Sequence, residues 1–233
     1  MALFFNRVAL VGIGAVAGAV LYMVMAQPQD PAYDQTRIQS AIVAFANQQQ
    51  AERVAVSNAL VASRANDLLH DPNTPVFGNP EGDVSLVEFF DYICPVCKVT
   101  DPRVKQLQKD DDGVRRVLKE FPILTPESLI ASKAALAAKR QGMYESYHNA
   151  LMESRGQLSE ERIFAIAEEV GLDVARIRED MEAPEIIEQI IENFNLARAL
   201  RVFSTPTYIV NDRMINLPSE EIDFPAMIEA ARS

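Results

Sequence analysis

Two spacings of apolar residues organise this chain. The run Val84-Ser85-Leu86-Val87-Glu88-Phe89-Phe90 is short and almost wholly apolar, and the turn Asn79-Pro80-Glu81-Gly82 precedes it. A run of that length between turn signals predicts a strand buried on both faces. Val114 to Pro122 predicts a second such strand after the turn Asp110-Asp111-Asp112-Gly113, and Lys98 to Asp110 between them predicts a helix. Strand, helix, strand makes a parallel pair. Val76-Phe77-Gly78 predicts a short edge strand. From Pro126 the spacing becomes helical: Ala131 to Lys139, Tyr144 to Met152, Ser159 to Val170, Asp173 to Met181 and Glu185 to Leu200. Acids at Glu160 and Glu161 suit a first helical turn. Thr207 to Val210 then predicts a strand, Asn211-Asp212 a tight turn, and Arg213 to Asn216 the hairpin partner. Ser219 is expected to cap a last helix that runs to Ala231. The order is βαβ, helical block, ββα. It predicts an α/β fold whose sheet carries an all-helical insertion at about residues 126–200.

The first third of the chain differs. Tyr33 to Leu69 lacks Gly and Pro, and Ile38, Ile42 and Phe45, then Val54, Val61, Ala65 and Leu68, keep helical spacing. One long helix or two in tandem is expected, ended by His70-Asp71-Pro72-Asn73-Thr74-Pro75. The stripe can pack on the same chain or pair with copies of itself, so residues 33–69 are a candidate homo-oligomer region. Val8 to Ala26 is uncharged and apolar, with Arg7 before it and Asp30 the next charge. Two readings compete: a signal peptide cut after Ala26, or an uncleaved anchor in the inner membrane. Either way the basic end stays in the cytoplasm and the bulk is exported to the periplasm or cell envelope. The domains expected are 1–26 signal or anchor, 27–74 helical extension and 75–233 catalytic domain.

Charge narrows the function. A net charge of -11 and a pI near 4.7 argue against nucleic acid as a partner, because phosphate binding needs clustered Lys and Arg.

The two cysteines of the chain stand together as Cys94-Pro95-Val96-Cys97, between the predicted central strand and its helix. As a structural staple the pair is weak: closing so short a loop is worth about 2 kcal/mol, against roughly 4.7 for a loop of ~100 residues. As a zinc site it is half a site, because structural zinc wants four ligands and His70 and His148 stand in no ligand spacing. The eight methionines are scattered, which suits core filling better than copper. A thiol at a helix start has a depressed pKa, and a strand, Cys-x-x-Cys, helix layout is that of a thioredoxin-like redox site. In an exported chain such a pair works in an oxidising compartment.

The stretch Glu88-Phe89-Phe90-Asp91-Tyr92-Ile93-Cys94-Pro95-Val96-Cys97 resembles the active-site segment of DsbA-like thiol-disulfide oxidoreductases. Leu118-Lys119-Glu120-Phe121-Pro122-Ile123-Leu124 and Thr205-Pro206-Thr207 resemble the same family, and the likeness covers about residues 75–232. Within the family the chain is similar to the suppressor-of-copper-sensitivity C and Com1-like proteins, which also carry a helical N-terminal region. The resemblance implies that Cys94 attacks and Cys97 resolves. It implies a buried acid at Glu88, beneath Cys97 and placed to take its proton. It implies a cis bond before Pro206, with Thr205 against the thiols and backbone free to bind a peptide beside Pro95 and Val96. Strong oxidases resembling this chain have His where Val96 stands, so a less depressed Cys94 pKa and a less oxidising couple are expected. Thr205 looks like the isomerase-type members. The Lys98 side chain is expected to point to water, and His148 to be structural. No metal or organic cofactor is expected, because the dithiol carries the electrons.

The implied partners are unfolded or misfolded cysteine-containing proteins and a membrane redox partner. An isomerase-type enzyme is favoured. A dedicated oxidase, a copper-binding envelope protein using the thiolates as soft ligands, and a relic fold with an interaction role remain the competing readings.

Overall fold

The computed structural model describes residues 35–215 and 217–233, so the segment Val8 to Ala26 lies outside the described residues. Among the described residues no helix is long and apolar enough to cross a membrane. The chain divides into two units, 1–51 and 52–233. Helix α1 (Gln35–Ser63) is one continuous run, and Arg64 separates it from α2 (Ala65–Leu69), with His70 as the C-cap. In the first unit Ile42, Val43 and Phe45 are exposed. In the second unit Val61 and Leu68 are wholly buried against Val87, Phe89, Val117 and Ile209, one face of the sheet.

That sheet has five strands: β1 (Val76–Gly78), β2 (Val84–Phe90), β3 (Val114–Glu120), β4 (Thr207–Val210) and β5 (Arg213–Met214). Their spatial order is β1-β3-β2-β4-β5, with β2 and β3 parallel and the other pairs antiparallel. The crossover from β2 to β3 is α3 (Pro95–Asp110). Period-two alternation sends Val87 and Phe89 to the face just described and Leu86, Glu88 and Phe90 to the other. The register places Arg116, Leu118 and Glu120 of β3 and Tyr208 of β4 on that second face, beside α3. The chain therefore aims two acids and an arginine into a covered layer.

The insertion is α4 (Pro126–Lys139), α5 (Tyr144–Glu153), α6 (Glu160–Glu169), α7 (Val174–Asp180) and α8 (Pro184–Leu200). Thr125 and Ser128 form a capping box at the start of α4, and Ser159 and Asp173 cap α6 and α7. Ala131, Ala134, Ala135 and Ala138 form a small-residue face of α4 that lets Tyr147, Leu151, Ile163 and Ile177 close over it. Each large apolar side chain buried this way contributes roughly 1.5–3 kcal/mol.

The last helix departs from the sequence expectation. Ser219–Glu221 is a short 3-10 turn, and α9 (Phe224–Ala231) starts later, capped by Asp223, whose side chain accepts from Ala226 N. Pro225 explains the shift: a proline fits a first turn but clashes inside a helix begun at Ser219.

Candidate active site

Cys94 is the N-cap of α3 and Pro95 its first residue, so the free N–H groups of the first turn face the Cys94 sulfur. Cys97 N donates to Cys94 Sγ at 3.3 Å. The Thr205 carbonyl oxygen lies 3.3 Å from the same sulfur, where it accepts the proton of the neutral thiol. Both thiols are free and buried, Cys94 with 4% of its surface exposed and Cys97 with none. Hydrogen bonding from Cys97, helped by the Cys97 and Val96 amides and opposed by burial, lowers the Cys94 pKa to about 6. Burial, then Cys94 and Glu88, push the Cys97 thiol far up. The two sulfurs are thus unequal: one ionises near neutral pH and the other keeps its proton.

Glu88 is wholly buried, on the face that β2 turns to α3. Arg116 Nη2 lies 2.6 Å and Nε 3.0 Å from its Oε2, and Tyr208 OH donates to Oε1 at 3.1 Å. Arg116 Nη2 also reaches Asp101 Oδ1 of α3 at 2.9 Å, and Lys105 Nζ pairs with Asp101 Oδ2 at 2.9 Å. The buried acid that the sequence led one to expect is therefore one member of a charged group. Burial works against the Arg116 cation, but Glu88 and Asp101 outweigh it and raise its pKa.

The loop before Cys94 is pinned by Asp91. Its Oδ1 accepts from Ile93 N at 2.8 Å, and its Oδ2 accepts from Ile123 N at 2.9 Å and Leu124 N at 3.1 Å. The Thr205–Pro206 bond is cis. Pro95, Val96 and Val99 are exposed on α3, and Phe203 is 76% exposed just ahead of Thr205. Thr205 Oγ1 is buried without a hydrogen-bond partner among the described residues. The sequence-named residues Cys94, Thr205 and Pro206 thus meet beside the exposed Pro95 and Val96, with Cys97 and Glu88 buried beneath.

Lys98 corrects the expectation of a water-facing side chain. Its Nζ donates to the Leu151 carbonyl at 2.6 Å and to Ser154 O and Oγ at 3.2 and 3.0 Å, the end of α5. Unpaired carbonyls at a helix C-terminus attract a cation, and burial lowers the Lys98 pKa to about 8. His148 is wholly buried, and that burial keeps it neutral. The sequence analysis assigns no role to Asp91, Asp101 or Arg116. Asp91 left a signal, since an Asp two residues before a bend favours an Asx turn. Among the described residues no three or more His, Cys, Asp or Glu side chains gather as a metal site.

A parallel βαβ unit with an N-capping cysteine, a buried partner thiol and a facing Thr-Pro turn defines a thiol-disulfide oxidoreductase of thioredoxin-like fold. The DSBA-like thioredoxin domain matches residues 85–224, and the chain belongs to that family. A thioredoxin-like oxidoreductase from Silicibacter pomeroyi is 42% identical, with 72% of this chain and 98% of that one covered and a TM-score of 0.68. The thiol-disulfide exchange protein alpha-DsbA2 of Wolbachia pipientis is 27% identical over 78% of this chain and 97% of its own, with a TM-score of 0.71. A linker-deletion variant of Proteus mirabilis ScsC, 19% identical, shares the fold over 89% of this chain and 98% of its own, with a TM-score of 0.72. A probable disulfide bond formation protein D of Bacillus cereus is 25% identical over 66% of this chain and 77% of its own length. The Na(+)/H(+) antiporter NhaA 1 of Salinispora arenicola is 33% identical over 59% of this chain. That stretch is 22% of the antiporter, so the chain spans about a fifth of that relative.

Proposed function

We propose that this chain is an exported disulfide-exchange enzyme of isomerase type, acting on unfolded or misfolded cysteine-containing proteins. The observation that carries the reading is the Cys94 sulfur, held at 3.3 Å from both Cys97 N and Thr205 O with a pKa lowered to about 6. At neutral pH it is mostly thiolate. Its sulfur attacks one sulfur of a client disulfide, and the other client sulfur leaves as thiolate. That client thiolate attacks a different client disulfide, and the thiolate freed there attacks the Cys94–client mixed disulfide; Cys94 leaves as thiolate, and the client is reshuffled with no net electron transfer. Alternatively Cys97 gives its proton to Glu88, attacks Cys94 and releases a reduced client, taking the oxidation into the Cys94–Cys97 disulfide. Arg116 and Tyr208 hold Glu88 in place for that transfer.

Pro95, Val96, Thr205 and Pro206 form the client-facing surface in this reading. Exposed Val99 and Phe203 extend it with apolar area suited to an unfolded chain. A Cys94 pKa of about 6 falls between the values of about 7 and 3.5 that mark thioredoxin and a strong oxidant. That supports the expectation drawn from Val96. The exposed Ile42, Val43 and Phe45 support assembly of copies through residues 33–69, which would set several redox sites around one client. Residues 8–26 act as the export signal or inner-membrane anchor, and a membrane redox partner keeps the pair reduced.

Refolding of scrambled, disulfide-crosslinked ribonuclease tests this. The chain is expected to restore ribonuclease activity, and an I42E/V43E/F45E variant to lose most of that activity while retaining thiol oxidation. Failure of the intact chain to rescue, with fast oxidation of reduced clients, would make it a dedicated oxidase.

A further inference from the structure

Glu120 ends β3 with its side chain wholly buried, and the sulfur chemistry above makes no use of it. Tyr92 OH donates to Glu120 Oε1 at 3.0 Å, and Tyr144 OH donates to the same oxygen at 2.7 Å. Ser132 Oγ donates to Oε2 at 2.7 Å. Leaving a carboxyl in an apolar layer is costly unless its partners are held in place, and an apolar side chain would fill the same volume at less expense.

The three donors belong to separate pieces of the molecule. Ser132 is on α4, Tyr144 is on α5, and Tyr92 stands in the loop two residues before Cys94. Tyr92 OH has one proton. When it donates to Glu120, its oxygen accepts from His148 Nδ1, 3.0 Å away on α5, which assigns His148 the Nδ1–H tautomer. Phe90 and Phe77 pack edge-on against that imidazole, with ring centroids 5.0 and 5.2 Å away. The loop therefore has two holds: Asp91 ties it to the amides of Ile123 and Leu124, and Tyr92 ties it to Glu120 and His148.

We propose that Glu120 is a positioning residue for the redox pair: through Tyr92 it fixes the loop that carries Cys94 between the sheet and the helical insertion. Cys94 keeps its low pKa only while its sulfur stays aligned with the Cys97 thiol and the first-turn amides. Releasing Tyr92 from Glu120 removes one of the two holds, and the thiol moves toward its ordinary value.

The cluster also has a titration of its own. Burial pushes the Glu120 carboxyl up to about 8, against the hydrogen bonds from Ser132, Tyr144 and Tyr92. The titratable or charged groups around it are Asp91 and Tyr92 of the loop, Tyr144 and His148 of α5, and Arg116 of β3; Asp101 and Lys105 of α3 act on His148. Burial raises both phenols and keeps His148 neutral. Lys98, lowered to about 8, is the neighbour of the redox pair whose titration has to be told apart.

The test is the pH titration of the Cys94 thiolate in wild type, Y92F and Y144F. Y92F is expected to raise the Cys94 midpoint by about half a unit or more. Y144F removes a donor to the same Glu120 oxygen from outside the loop, and is expected to lower stability and leave the midpoint unchanged. Equal midpoints in Y92F and Y144F would overturn the proposal, because a merely structural cluster would weaken alike in both. If Y92F does not fold, amide resonances of Ile93 and Cys94 decide. In wild type they are expected to follow a titration near pH 8 that E120Q abolishes. A titration that persists in E120Q belongs to Lys98, and its persistence, or no titration in wild type, would overturn the proposal.

Discussion

Arg116 Nη2 lies 2.6 Å from Glu88 Oε2, with both side chains wholly buried in the layer beneath α3. Breaking a buried pair from one side leaves a charge without its partner. E88Q and R116M are each expected to destabilise the fold by about 3–5 kcal/mol in urea unfolding, with R116M the larger because it also takes from Asp101 one of its two cationic partners, leaving Lys105. The double variant E88Q/R116M is expected to recover part of that loss. Strict additivity of the two single losses would contradict the pairing.

Reduced protein should show a stability that depends on Cys94 ionisation. Its folded pKa of about 6 lies below the unfolded value near 9. A depressed folded pKa gives stability that is fully present above pH 9 and is lost as pH falls through 6. The oxidised form lacks this term. The melting temperature of the reduced form relative to the oxidised form is therefore expected to fall between pH 9 and pH 6 and to level off below. A difference that stays flat over that range would contradict the low Cys94 pKa.

Much of this architecture is legible in the sequence, for physical reasons visible in particular elements. Val84–Phe90 and Thr207–Val210 emerge as strands because both faces are covered, so nearly every position is apolar. Helix starts are less legible. α3, α4 and α8 begin at Pro95, Pro126 and Pro184, earlier than the apolar spacing suggests, because proline at the first position supplies no periodicity yet suits the turn. The cysteines announce themselves by spacing. Arg116 does not, since its meeting with Glu88 depends on β2–β3 register, which local sequence does not specify. The contacts of Lys98 are not legible in local sequence, because the carbonyls it serves lie more than fifty residues away, at the end of α5.

Lys98 joins the redox helix to that end of α5. K98M is expected to leave the sheet intact and to speed amide exchange locally in α5, with a stability loss of about 1–3 kcal/mol from the lost hydrogen bonds to the end of that helix. Hydrogen exchange followed residue by residue checks this. Unchanged protection in residues 144–154 would show that the contact carries no weight.

The apolar rim at Val99 and Phe203 should matter to large clients alone. V99D/F203D is expected to lower kcat/KM for an unfolded protein by about tenfold, some 1.4 kcal/mol of binding, while exchange with glutathione is unchanged. Equal losses on both substrates would place the effect on the thiols instead.

The reduction potential of the Cys94–Cys97 pair in glutathione buffers tests the central claim most directly. With Val96 giving the thiolate no side-chain donor, a value in the range of glutaredoxins and protein disulfide isomerase, about -230 to -180 mV, is predicted. A value near -120 mV would mark a strong oxidant and contradict the isomerase reading.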